Sequence, residues 1–148
     1  MQYRKDELVF GIKRALPIVM GYIPVGFALG VMAADAGLSP LQMGLMSLFV
    51  YAGSAQFIAI DMLSSGVTAV PIIITTFLVN LRHFLFSASL APYFRKIKQG
   101  FIPLISFFIT DESFAVSITD AEQRPLSHFY YFGLYITAYS SWVVSTVI

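Results

Sequence analysis

Long uncharged stretches alternate with short charged clusters along this chain. The uncharged runs are Ala15–Ala34, Ala36–Ile60, Met62–Leu81 and Pro125–Ile148. Each run is long enough to cross the hydrocarbon core of a bilayer, which takes about 20 helical residues. A transmembrane β-barrel would instead alternate polar and apolar positions in segments of about ten residues. The pattern therefore predicts an all-α, polytopic membrane protein.

About five apolar segments follow from this pattern, preceded by a short amphipathic lead, Tyr3–Arg14. The segments are Ala15–Ala34, Leu41–Ser64, Val67–Tyr93, Phe101–Thr119 and Phe129–Ile148. We expect residues 1–148 to form a single integral membrane domain. Because the fifth segment stops without a polar end, we interpret the chain as the N-terminal part of a longer transporter subunit.

The basic residues give conflicting orientations if every segment crosses the membrane. Lys and Arg mark cytoplasmic loops, which places both the N-terminus and the basic loop Arg95–Gln99 inside. Three full crossings between them would put that loop outside. We therefore expect one segment to be broken or re-entrant. The favoured break is Ala52–Gln56 in the second segment, and the rival break is Asn80–His83 in the third.

Composition agrees with a membrane protein and narrows the chemistry. Hydrophobic residues make up 57% of the chain and charged residues 11%, against about 25% charged residues in soluble domains. A net charge of +1 gives no argument for nucleic acid, and the absence of cysteine excludes thiolate chemistry. His83 and His128 stand alone, without a metal-ligand spacing or a catalytic motif. We expect neither an enzyme, a metal site nor a cofactor.

The motif GYIPVGFALG, Gly21–Gly30, lies in the first segment. Pro24 removes a backbone donor in mid-span, while Gly26 and Gly30 have the spacing that allows helices to approach closely. One interpretation is ordinary close packing. The other is a broken helix whose freed backbone groups line a cavity, where transporters tolerate irregular backbone.

The motif VYAGSAQF, Val50–Phe57, lies in the second segment. A helix that restarts after Gly53 would direct free N–H groups and the positive end of its dipole at an anion, such as a substrate carboxylate. Ser54 and Gln56 would add hydrogen bonds. The alternative is that Ser54 bonds its own helix and Gln56 pairs with a neighbour as packing.

The motif NLRH, Asn80–His83, places an amide, a guanidinium and an imidazole in the third segment. An arginine at the centre of a membrane helix costs about 2.5–3.5 kcal/mol on insertion scales, so such residues usually face the interior and pair. Arg82 would instead extend to the interface if the membrane face lies near Phe86. His83 either carries a proton near neutral pH or bonds a carbonyl.

The motif TDESF, Thr110–Phe114, places two adjacent acids between apolar runs. Neighbouring helix positions diverge by about 100°, so at most one acid points at a given partner. Asp111 or Glu112 is expected to pair with Arg82, to meet a substrate ammonium, or to relay protons.

These four motifs, in this order, resemble the AzlC family over roughly Leu16–Ala115. The matching runs are ALPIVMGYIPVGFALGVMAADAGLS, LMSLFVYAGSAQF, LVNLRHFLFSASLAPYF and FFITDESFA. The resemblance implies a multi-pass subunit of the bacterial inner (cell) membrane. It also implies export of leucine, isoleucine and valine together with a small, separately encoded AzlD-type membrane subunit.

These expectations combine into one hypothesis, in which a zwitterionic amino acid lies between broken segments. Its carboxylate meets Gly53–Gln56, and its ammonium meets carbonyls near Pro24 or one of the two acids of TDESF. The candidate substrate-binding residues are Pro24, Gly53, Ser54, Gln56, Phe57 and Asn80. The candidates for charge pairing or proton coupling are Arg82, His83, Asp111 and Glu112. A channel or facilitator for a small polar solute, or a structural membrane subunit, remains the alternative.

Overall fold

The computed structural model describes residues 2–97 and 99–148, with the side chains of all of these except residues 2, 95 and 96. This part of the chain contains seven α-helices and no β-strand, which confirms the predicted all-α class. Two 3₁₀ segments, Ala91–Lys96 and Gln99–Phe101, lie between the fourth and fifth helices. The helices are α1 (Gln2–Asp35), α2 (Pro40–Phe49), α3 (Gly53–Ser64), α4 (Ala69–Leu90), α5 (Ile102–Phe107), α6 (Asp111–Gln123) and α7 (His128–Ser145).

The chain divides into two compact units. The first unit contains Met1–Met20 and His83–Ser140, and the second contains Gly21–Arg82 and Ser141–Ile148. Helices α1, α4 and α7 contribute residues to both. Each unit is described separately below.

Two helical stretches of the described chain are long and apolar enough to cross a membrane, Tyr3–Asp35 and Ala69–Phe94. Helix α4 is largely exposed along its apolar length, with Ile73, Phe77 and Phe84 each more than 60% exposed. An uninterrupted apolar surface of this kind is typical of a helix that lies against lipid tails. The chain is thus a helical membrane protein, although the structure does not confirm five crossing segments.

The second apolar segment is broken, as predicted, but the break lies at the N-terminal edge of the predicted Ala52–Gln56 range. Helix α2 ends at Phe49 and α3 begins at Gly53, so Val50–Ala52 separates them. The rival break is wrong, because α4 continues without interruption through Asn80–His83. Ser47 and Gln56 lie on either side of the break and share a hydrogen bond of 3.0 Å. In a straight helix nine residues rise about 13.5 Å, so the chain turns at the break.

Helix α1 runs unbroken through Pro24, and the broken-helix interpretation of the GYIPVGFALG motif is therefore wrong. The amphipathic lead Tyr3–Arg14 belongs to the same helix. A Cβ atom added to Gly26 would collide with the Ser145 side chain, and one added to Gly30 would lie 2.7 Å from the Thr146 carbonyl oxygen. The glycines therefore permit close packing of α1 on the end of α7, which was the alternative interpretation.

The fourth apolar segment, expected as one span over Phe101–Thr119, is instead a hairpin in the first unit. Helix α5 runs alongside α7 in the same direction, since Phe101 stacks on His128 and Phe108 packs on Tyr139. Helix α6 returns, because Ser117 bonds Tyr135 and Asp120 bonds Tyr130. From His128 to Tyr139, α7 rises about 16 Å, roughly half of a 30 Å hydrocarbon core.

Both ends of this hairpin lie beside the N-terminal part of α1. Phe101, just before α5, lines a cavity together with Leu8. At the other end, Arg124 follows α6 and bonds Glu7. The described backbone of the basic loop, residues 95–97 and 99, therefore belongs to the same end of the first unit as the start of α1. Lys98 and the side chains of Arg95 and Lys96 lie outside the described residues.

Two tight turns use glycines with positive φ. Gly37 follows α1 with φ of 82°, and Gly66 follows α3 with φ of 72°. A residue with a side chain is strained in this left-handed region, whereas glycine is not. These glycines allow α1 and α3 to end abruptly before the next helix.

Candidate functional site

The start of α3, in the second unit, differs from the starts of α2 and α6. Helices α2 and α6 each begin with a capping box, formed by Ser39 with Gln42 and by Thr110 with Ser113. The N-cap residue of α3 is Ala52, which has no side chain that can cap. The first backbone bond across this start is Gln56 N–H to the Ala52 carbonyl. The N–H groups of residues 53–55 therefore lie before the first backbone hydrogen bond of the helix. The first turn of α3 holds no acidic residue.

Gln56 lies at the centre of a fully buried hydrogen-bond network. Its Nε2 donates to Ser47 Oγ at 3.0 Å, and its Oε1 accepts from Trp142 Nε1 at 2.8 Å. Ser47 Oγ in turn shares a 2.8 Å bond with Thr146 Oγ1. The network ties α2, α3 and the end of α7 together on the two sides of the break. In this conformation the Gln56 amide holds the half-helices in place, which was the packing alternative for this residue.

Trp142 also explains why residue 53 is a glycine. A Cβ atom on Gly53 would lie 2.9 Å from Trp142 Cη2. The indole ring packs edge-on against Tyr22 of α1 with 5.1 Å between ring centroids. Ser145 Oγ donates to the Tyr22 carbonyl at 3.3 Å. The start of α3 therefore packs against the Trp142 ring, which Tyr22 contacts.

The remaining predicted substrate-binding residues of the second unit differ in exposure. Ser54 and Pro24 are exposed, whereas Phe57 and Asn80 are partly exposed. The Oδ1 atom of Asn80 is buried within the protein. Ser54 therefore lies among the uncapped N–H groups at an exposed position, while Oδ1 of Asn80 is turned inward. Their roles in substrate binding remain predictions.

The start of α6, in the first unit, has the opposite electrostatic character to that of α3. Asp111 and Glu112 occupy the first turn of α6, where the helix dipole favours negative charge. Thr110 Oγ1 accepts from the Ser113 N–H at 3.3 Å, and Ser113 Oγ accepts from the Thr110 N–H at 2.8 Å. The Thr110 and Ser113 N–H groups are therefore satisfied locally, and the two carboxylates give this start a net negative charge. Such a start suits a cation or a proton.

The NLRH residues fall on both sides of the boundary between the units. His83 packs edge-on against Phe86, with 6.0 Å between ring centroids, and Phe86 stacks on Phe114 at 4.6 Å. The Nε atom of Arg82 is buried. The expected pairing of Arg82 with Asp111 or Glu112 would join residues of different units and remains a prediction.

Comparison with known proteins identifies the family. The model of the AzlC protein family matches residues 17–148. The chain belongs to the AzlC family. This match covers all four motifs that carried the resemblance in the sequence.

The names of the relatives of this AzlC-family chain describe them as membrane proteins or transport proteins. The chain is 39% identical over 138 residues to a membrane protein of Archaeoglobus fulgidus, covering 93% of this chain and 59% of the relative. It is 36% identical over 141 residues to the inner membrane protein YgaZ of Escherichia coli, covering 93% and 58%. It is 30% identical over 104 residues to the branched-chain amino acid transport protein AzlC of Bacillus subtilis, covering 70% and 41%.

The chain thus spans less than two thirds of the length of these relatives. No solved structure matches it.

Sequence reasoning missed two ion pairs of the first unit of this AzlC-family chain. Arg14 donates to both carboxylate oxygens of Asp120, at 2.7 and 2.6 Å, and Tyr130 donates to the same carboxylate at 2.5 Å. Arg124 donates to Glu7 at 2.7 Å. The two acids are only 6% and 5% exposed. No local pattern indicates these pairs, because each joins residues more than 100 positions apart.

Proposed function

We propose that this chain is the substrate-binding part of a bacterial inner-membrane exporter of leucine, isoleucine and valine, which works with a small AzlD-type membrane subunit. Membership of the AzlC family supports transport. The name of the Bacillus subtilis relative supports a branched-chain amino acid as substrate. The AzlD-type partner and the export direction follow from the family resemblance.

The uncapped start of α3 carries this proposal. A helix N-terminus that lacks both a side-chain cap and an acid leaves N–H donors and positive partial charge for an anion. Broken transmembrane helices bind the carboxylate of amino acid substrates in this way. We assign the substrate carboxylate to the N–H groups of Gly53–Ala55, with the Ser54 hydroxyl beside them. Gln56 acts as a positioning residue, since Ser47 and Trp142 occupy its amide.

The acidic start of α6 is the proposed place for a cation. Asp111 is partly exposed and Glu112 is exposed. Phe108, just before this start, contacts Tyr139, which is about 16 Å along α7 from His128. If α7 begins at the membrane face, the start of α6 lies near half the membrane depth. A carboxylate at that depth is costly unless it binds a partner. A coupling proton is the proposed partner in the first unit. The pairing of either acid with Arg82 or with the substrate ammonium stays a prediction from the sequence.

A topology with three crossings and two hairpins accommodates both basic clusters. The start of α1 and the loop Arg95–Gln99 share one end of the first unit, and both carry Lys and Arg, so we assign that end to the cytoplasm. If α1 and α4 each cross once, the segment α2–α3 makes no net crossing. It therefore enters from the outer face and leaves by it. The α5–α6 hairpin likewise enters from the cytoplasmic face, and α7 is the third crossing.

Leucine counterflow in vesicles tests the proposed function. The comparison uses this chain alone, this chain with an AzlD-type subunit, a full-length relative with the same subunit, and empty vesicles. We expect saturable counterflow of labelled leucine, inhibited by isoleucine and valine, when the partner is present. Uptake that neither saturates nor shows counterflow would indicate a channel. Absence of counterflow with both the chain and the full-length relative, in vesicles shown to contain them, would contradict amino acid transport.

A further inference from the structure

An apolar groove in the first unit has no role in the proposed transport site. Its volume is about 400 Å³, and it lies between α1, α5 and α7. The lining includes Leu8, Leu104, Phe108, Phe132 and Tyr135. Leu104 and Phe132 are 47% and 51% exposed, so the groove is open along one side. Tyr135 contributes only its aromatic ring to the groove lining, because its hydroxyl bonds Ser117 at 2.9 Å.

One end of the groove carries positive charge. The Arg4 guanidinium lies 5.4 Å from the ring centroid of Phe129, which lines the groove. Arg4 is one helical turn before Leu8, so the two residues share the same face of α1. His128 also lines this end and stacks on Phe101 at 5.6 Å. An exposed cation therefore lies at one end of the apolar groove, which extends along about 12 Å of α7.

We propose that this groove binds one acyl chain of an anionic phospholipid, with the lipid phosphate at Arg4. The argument rests on charge complementarity, because a cationic mouth above an apolar groove matches an anionic amphiphile. Basic pockets between helices on the cytoplasmic side of membrane proteins bind anionic headgroups. The same end of α1 carries the basic cluster that marks the cytoplasmic face. A zwitterionic phospholipid would fill the groove but gain less from the guanidinium.

Native mass spectrometry of the purified chain, equilibrated with equal amounts of phosphatidylglycerol and phosphatidylcholine, tests this proposal. We expect the wild-type chain to retain phosphatidylglycerol in preference to phosphatidylcholine. Arg4→Gln should lower that preference about fivefold, since one base near a membrane surface contributes about 1 kcal/mol. Leu104→Trp fills the groove from a half-exposed position and should lower the amount of retained lipid of both kinds. Lys13→Gln, which removes another exposed base of α1, is the matched control and should change neither quantity.

Each other outcome contradicts the proposal. Unchanged lipid retention in Leu104→Trp would show that the groove holds no acyl chain. An equal effect of Lys13→Gln would show a general surface-charge effect. Displacement of the lipid by soluble glycerol phosphate would indicate an anion site without an acyl chain. If Leu104→Trp instead changes the oligomeric state in the same spectra while lipid retention stays constant, a second copy of the chain covers the groove.

Discussion

Trp142 donates its indole N–H to Gln56 Oε1 at 2.8 Å, and both side chains are buried. The bond joins the final helix to the first turn of α3. The other end of the amide bonds Ser47 on α2, so one glutamine holds three helices. The half-helix start that we assign to the substrate carboxylate depends on this bond for its position.

Replacing Gln56 with leucine removes this link and leaves an apolar side chain of similar size in its place. The Trp142 N–H loses its buried acceptor, and leaving such a group without a partner costs about 1–3 kcal/mol. We expect a lower midpoint of thermal unfolding in detergent and a shifted Trp142 emission. Trp142 is the sole tryptophan, so the tryptophan emission reports on the surroundings of the ring that makes this bond. Ser54→Ala, at an exposed position two residues away, is the control, and equal destabilisation by both variants would contradict the account.

Adding a single methyl group at position 53 should displace the Trp142 ring. In Gly53→Ala the new Cβ atom would lie 2.9 Å from Trp142 Cη2, closer than real Cβ contacts. We expect the Trp142 emission to shift and leucine counterflow to fall. Gly21→Ala is the matched control, because a Cβ atom there meets nothing within 4 Å. A Gly53→Ala protein with wild-type fluorescence and transport would show that the start of α3 is not held against Trp142.

The pair Arg14–Asp120 should stabilise the α5–α6 hairpin. Arg14 is about 40% exposed and Asp120 is nearly buried, so solvent screens the pair only in part. A double-mutant cycle of Arg14→Gln and Asp120→Asn should give a coupling free energy of about 1 kcal/mol. Asp120→Asn should be the more damaging single change, because Tyr130 also bonds that carboxylate. Glu122→Gln, at an exposed acid of the same helix, should have no effect, and a coupling of zero would contradict a stabilising pair.

Single cysteines test the proposed topology, since the chain has none of its own. Ser65 and Gly100 are both exposed and lie after α3 and before α5. We expect an impermeant thiol reagent added outside intact cells to label Ser65→Cys and not Gly100→Cys. In permeabilised cells both should react. Labelling of both from the same side would mean that α4 does not cross the membrane. Labelling of Gly100→Cys alone from outside would mean that α2–α3 crosses it.

The sequence predicted the break in the second segment better than the break in the fourth. Val50–Gln56 contains a run of small residues that an apolar helix does not need for packing, so the break was visible. The run from Phe101 to Thr119 reads as one apolar segment, and its break depends on Thr110 and Ser113 capping α6. The Thr–Asp–Glu–Ser order is a helix-start signal. The two acids of this motif predict a charged site but do not by themselves indicate the cap.

The packing of the site could not be predicted from the sequence. Pro24 looked like a break, yet a helix tolerates one missing backbone bond when neighbouring helices pack against it, as α7 does at Gly26 and Gly30. The role of Gln56 depends on Trp142, which is 86 positions away. Local pattern gives the helices, but it does not identify which distant side chain meets a buried amide.

The most direct test of the central claim removes one backbone N–H from the start of α3. Proline is tolerated in the first turn of a helix, as Pro103 is at the second position of α5. Ser54→Pro deletes the N–H that we assign to the carboxylate, whereas Ser54→Ala deletes only the hydroxyl. In leucine counterflow with the partner subunit, we predict that Ser54→Ala retains most activity and that Ser54→Pro, inserted and folded, loses it. Wild-type counterflow in Ser54→Pro would contradict carboxylate binding at this helix start.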